Sequence, residues 1–132
     1  MKSKILQFFL MTVFYNTSAA QELLSNESVQ DQISVILPTF DLPQQVDALT
    51  TLVAVDLLAV RGISYTYQLD AEGGNAEQNE QVFRAIKATV VQALCNNLQM
   101  IWYKQNFVDM EYIYLDKSGN VWYRTRINSN DC

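Results

Sequence analysis

Histidine is absent from this chain of 132 residues. Its absence removes the imidazole base of Ser-His and Cys-His catalysis and the commonest zinc ligand. Glycine is scarce, with four residues, and the Gly73-Gly74 pair sits in an acidic stretch rather than in a phosphate-cradling loop. Nucleotide chemistry is therefore not expected. Cations are outnumbered, nine against fourteen acids, for a formal net charge of −5. Bulk electrostatics then disfavour nucleic acid and anionic lipid as partners. Long apolar runs are also missing. The one from Ile5 to Tyr15 covers eleven residues, whereas a bilayer span takes about 20.

That run has another reading. Lys2 and Lys4 precede it and Ser18-Ala19-Ala20 follows it, the layout of an export signal with a small-residue cleavage site. Residues 1–20 are read as a signal peptide, with cleavage near Ala20 and a periplasmic or secreted destination. Cutting there removes two lysines and no acid, so the mature charge falls from −5 to −7. The first mature residue would be Gln21. An acylated cysteine is thus not expected there, nor a lipid anchor or a membrane span.

Residues 21–45 carry a weak helical stripe (Leu24, Val29, Ile33, Ile36) and then Pro38 and Pro43. They are read as an N-terminal helical or extended segment that wraps the domain. The domain itself is assigned to residues 46–132. Ile63, Tyr65, Tyr67 and Leu69 alternate with Ser64, Thr66, Gln68 and Asp70, as a half-buried strand does. Residues 46–60 fit a preceding strand, with Arg61-Gly62 at the turn, although Val46, Leu49, Val53 and Leu57 also fit a helical stripe. Phe83, Ile86, Val90 and Leu94 recur at helical spacing and predict a helix over 77–95. A second hairpin follows. Met110, Tyr112 and Tyr114 alternate with Asp109, Glu111 and Ile113, and Gly119 supplies the turn before Val121 to Ile127. The fold class is α+β: an antiparallel sheet of about four strands in two hairpins, packed against one long helix.

Only Cys95 and Cys132 carry thiols. Export and an even cysteine count favour a bond between them, which would staple the hairpin to the helix end. Two free thiols, or a bond between chains, are the alternatives. If bonded, neither cysteine is a nucleophile. Carboxylates are the remaining catalytic currency. Asp109 and Glu111 share a strand face with Arg124 and Arg126 on the next strand, and opposed arginines would keep both carboxylates ionised. Cross-strand pairing is the simpler reading, and no enzyme, metal site or cofactor is expected. Asp116, Ser118 and Asn120 read as a turn rather than as a calcium loop. Alternation places Trp122 with Arg124 and Arg126, giving a candidate protein-binding group with Asp109 and Glu111. The alternative is a Trp122 covered by a helix or by the N-terminal segment.

From about residue 63 onward the chain resembles the β-class pilotins of type II secretion systems. The resemblance rests on Tyr65-Thr-Tyr67, the helix with Cys95, Tyr112-Ile-Tyr-Leu-Asp116, Gly119-Asn-Val-Trp-Tyr-Arg124 and the closing Asp131-Cys132. It implies a sheet packed on helices and a disulfide between the two cysteines. Those pilotins are typically lipoproteins that carry a secretin to the outer membrane, and this chain departs from them in lacking the acylated cysteine. The resulting expectation is a non-enzymatic envelope module that grips a secretin-like protein partner, in a groove between helix 77–95 and the sheet. A small secreted inhibitor, immunity or exclusion protein, acting through the Trp122 face, is the alternative.

Overall fold

The structure, a computed structural model, describes residues 23–73 and 76–132. The expected leader and its cleavage site lie outside the described residues. Helix α1 (Asn26–Ile36) begins where the Ser25 hydroxyl accepts the Ser28 N–H at 3.1 Å, satisfying a donor that the first helical turn leaves open. Val29, Ile33 and Ile36 of its expected stripe are fully buried, while Leu24 precedes the helix and is half-buried. A two-residue strand β1 (Gln44–Gln45) then pairs with β2 (Thr50–Leu58), and β2 turns into β3 (Gly62–Leu69). Residues 50–58 are thus strand, not helix. Helix α2 (Ala76–Asn96) leads through a 3-10 turn to the short α3 (Ile101–Gln105). The hairpin β4 (Asp109–Leu115) and β5 (Val121–Ile127) closes the fold.

The expected sheet requires correction in three respects. It has five strands in the order β1-β2-β3-β4-β5, and β3 pairs with β4 in parallel. Both expected hairpins are present and antiparallel, but the α2 crossover returns the chain to the end of the sheet where β3 began. A crossover of this kind gives parallel pairing, whereas a tight turn gives antiparallel. The third correction concerns the helical layer. Trp102 and Tyr103 of α3 and three residues of α1 fill the core, while α2 adds only Phe83 and Leu94 at full burial. Three helices, not one, therefore cover the sheet among the described residues.

Gly62 has a reason different from the turn expected of it. A Cβ there would stand 2.3 Å from the Asp109 carbonyl oxygen, so glycine is what lets β4 lie against β3. The positive φ falls on Val60 instead, at 79°. Gly119 takes its expected positive φ of 87°, and the Asp116 carboxylate accepts the Ser118 and Asn120 N–H groups around it.

Cys95 and Cys132 are bonded, with Cα atoms 5.6 Å apart across 37 residues of sequence. Asn128 and Asp131 exchange side-chain and backbone hydrogen bonds that turn the last residues back toward the end of α2. The bond ties the end of α2 to the C-terminus and closes α3 and the second hairpin into one loop. In the chain-entropy picture a loop of this size is worth about 4 kcal/mol.

Candidate functional site

On the sheet face away from the helices, Glu111 lies in register with Arg126 and Ile113 with Arg124. Glu111 is nearly buried. One carboxylate oxygen accepts the Ser64 hydroxyl at 3.0 Å, and the other accepts from Arg126 at 3.4 Å. Asp109 is not part of this pair, because its carboxylate accepts the Asn128 side-chain amide at 2.9 Å and helps to hold the C-terminal turn. Arg124 is exposed and makes no ion pair among the described residues. Glu111 and Arg126 thus pair across the two strands, with the carboxylate buried and the arginine exposed. The two carboxylates, Asp109 and Glu111, are engaged and do not converge.

Trp122 does not stand with the two arginines, contrary to the simple alternation. Tyr114 pairs with Tyr123 and Leu115 with Val121, so Trp122 is the extra residue of a β-bulge. A bulge locally resets which face a side chain takes. The indole meets Phe83 of α2 edge-on, with ring centroids 5.2 Å apart. The five expected partner-binding residues are therefore divided. Glu111 and Arg126 meet, Asp109 braces Asn128, Arg124 stands alone, and Trp122 packs on the helical side.

The helical side carries an aromatic row that sequence reading had assigned simply to core. Parallel register sets Tyr65 beside Tyr112 and Tyr67 beside Tyr114. The rings stack at centroid distances of 5.4 and 5.3 Å. Phe40 meets Tyr65 edge-on at one side of the row, and Phe83 stacks on Tyr123 at 4.4 Å on the other. Tyr65 and Tyr67 are half-buried, as are Ile86 and Val90 on the facing stripe of α2. The i, i+2 tyrosines on both strands were visible, but their alignment needed the parallel pairing.

Burial raises the tyrosine hydroxyls, because a phenolate is poorly solvated there. Tyr65 and Tyr112 rise well above the usual phenol range, and Tyr67 is pushed up to about 12. Tyr103 and Tyr114 move upward for the same reason. The row is thus neutral at any physiological pH. It offers ring faces and neutral hydroxyls.

Between the first half of α2 and β5 lies a cleft of about 420 Å³, lined by residues that include Phe83, Arg84, Lys87, Trp122 and Tyr123. A second depression, about 480 Å³, lies by the β1–β2 turn against Gln68, Asp70 and Lys117. Among the described residues no group of three His, Cys, Asp or Glu could hold a metal ion. No described helix is long and apolar enough to cross a membrane.

No protein-family model matches the sequence, and no curated protein matches it. Solved structures do share its fold. A Pseudomonas aeruginosa protein described as secreted matches 84% of this chain and 98% of its own at 8% identity, with a TM-score of 0.63. The pilotin EpsS of the Vibrio vulnificus type 2 secretion system matches 81% of this chain and 90% of its own at 8% identity, with a TM-score of 0.57. The type II secretion pilotin AspS from Vibrio cholerae matches 81% and 91% at 12% identity, with a TM-score of 0.55. The resemblance read from the hairpins and cysteines thus extends to the whole architecture: this chain has the fold of type II secretion pilotins.

Proposed function

We propose that this chain is an exported, non-enzymatic binding module of the cell envelope, which grips an amphipathic helix of a secretion partner such as a secretin. The helix would lie between α2 and the sheet. The observation that carries this reading is a set of apolar side chains that the helical layer leaves half-buried, Ile86 and Val90 on α2 and Tyr65 and Tyr67 on β3. An amphipathic helix in a groove buries its apolar stripe against such a lining. The pilotin fold supports the same choice of partner. Arg84 and Lys87 at the adjoining cleft would meet acids on the helix's polar side. The inhibitor reading drew on a Trp122 face shared with Arg124 and Arg126, and Trp122 packs instead on Phe83.

Affinity capture from the native envelope fraction under oxidising conditions tests this. The mature chain is expected to retain a secretin, and the Ile86→Asp variant to lose it. Retention of a hydrolase or toxin instead, or equal capture by the variant, would refute the groove reading.

A further inference from the structure

The two edges of the sheet are unlike. At one side β1 covers Thr51 and Leu52 of β2, and the charged side chain of β2 is an acid, the exposed Asp56. At the other side β5 ends the sheet, and no strand covers any of its residues from Val121 to Ile127. Among the described residues no backbone group of β5 bonds to another backbone beyond the β4 ladder. Such an edge is a row of donors and acceptors, open to pairing with another extended segment.

Cations gather at this same edge. Arg124 and Arg126 stand two residues apart on the sheet face away from the helices, and Arg84 and Lys87 line the cleft between α2 and β5. These are four of the seven lysines and arginines among the described residues, in a chain whose acids outnumber its cations. The acids beside them are engaged, Glu80 by Arg84 at 2.6 Å and Glu111 by Arg126 at 3.4 Å. Asp109 and Asp131 both accept from Asn128, just past the end of the strand. Glu77 lies two turns before Arg84, at the start of α2. Arg124 and Lys87 make no ion pair among the described residues.

We propose that the β5 edge accepts an extended segment of a partner protein as a sixth strand. Acids at alternate positions of that segment meet Arg124 and Arg126, and the apolar residues between them turn toward Trp122 and Tyr123 at the cleft. Strand geometry produces this division, since successive side chains face opposite sides of a sheet. Charge decides the occupant. A second copy, paired edge to edge in a continuous sheet, would gather four arginines on one face, where like charges repel. Residues 1–22 hold one acid, Glu22, against Lys2 and Lys4, so this part of the chain does not match either. The sixth strand lies outside the groove between α2 and the sheet, and the inference does not rest on the partner-helix reading.

Titration of isotope-labelled residues 21–132 with a synthetic peptide, followed by amide NMR, tests the proposal. The probe alternates Glu and Val over about eight residues, close to the length of a strand. A control peptide of the same composition carries its glutamates in one block and its valines in another. With the alternating probe, the amides from Tyr123 to Ile127 are expected to shift and their hydrogen exchange to slow. Salt should weaken the binding. Arg124→Glu should weaken it about tenfold or more, while Arg124→Lys stays near the native value. Both variants should keep the native melting temperature, because Arg124 is exposed and unpaired. Ile86→Ala should bind the probe as the native chain does. Four results would each overturn the proposal. They are no shift up to about 1 mM peptide, equal binding of the blocked peptide (a plain anion site), shifts without slowed exchange along β5, or a native dimer whose β5 amides are already protected.

Discussion

Around Ile33, Ile63 and Trp102 the helical layer is sealed, whereas around Tyr67, Ile86 and Val90 it stands partly open. The sealed region is aliphatic apart from Trp102 and Tyr103 and is filled by α1 and α3, two helices of 11 and five residues. The open region belongs to the longest helix, α2, which spends 21 residues to bury Phe83 and Leu94 completely. Helix length therefore says little about contribution to the core here. The short helices supply stability. The long one, fixed at its far end by the disulfide, supplies a wall along an aromatic row.

The sharpest break in that comparison should come from the sealed side. Trp102→Ala is expected to cost about 3–5 kcal/mol, the range for removing a fully buried aromatic residue, and urea unfolding would measure it. Cys95→Ser with Cys132→Ser should cost up to about 4 kcal/mol. The loss should be uneven. Amide hydrogen exchange in the last turns of α2 should speed up more than in α1, since the bond anchors the end of α2 at Cys95 and holds no residue of α1. Equal acceleration in both helices would contradict the division into two regions.

Alkaline titration probes the aromatic row. The neutral tyrosines are favoured in the fold, so above the ordinary phenol value the folded chain binds more protons than the unfolded one. Their contribution to stability is full below about pH 10 and falls by up to about 1.4 kcal/mol per pH unit for each tyrosine until its folded value is reached. For Tyr67 that is about 12. Tyr67→Phe should make the decline shallower, read as the melting temperature against pH. Smaller still is Ile86→Ala, expected to cost about 1 kcal/mol or less because the side chain is half-exposed, against about 2–5 kcal/mol for Ile33→Ala. Least of all, Arg126→Ala should cost under about 1 kcal/mol, because its guanidinium is 54% exposed beside Glu111.

These contrasts were only partly legible in the residues. Helix α2 and the strands β3, β4 and β5 were written in periodicity, because Phe83, Ile86, Val90 and Leu94 repeat at one helical turn and Ile63 to Leu69 alternate strictly. Gly119 marked its turn, since few residues tolerate that backbone. The Gln44–Gln45 strand is too short to show any alternation. Asp109 and Glu111 looked equivalent two residues apart on one strand. Their different partners, Asn128 and Arg126, depend on what the chain does after β5.

What the sequence determined by itself is local: the helical stripe, the alternating strands, the glycine turn and, with export assumed, two cysteines suited to one bond. Tertiary structure decided the rest. Parallel pairing of β3 with β4 follows from where the α2 crossover delivers the chain, and only that pairing turns four tyrosines into a stacked row. The bulge at Trp122 is one unpaired residue, invisible to alternation yet enough to move an indole across the sheet. Asn106 ties positions 24 and 61 together, its side chain accepting the Leu24 N–H and its carbonyl the Arg61 guanidinium. Periodicity reports how a segment meets its own neighbours within a few residues. Long-range register, which sets what those segments face, is fixed by packing between them.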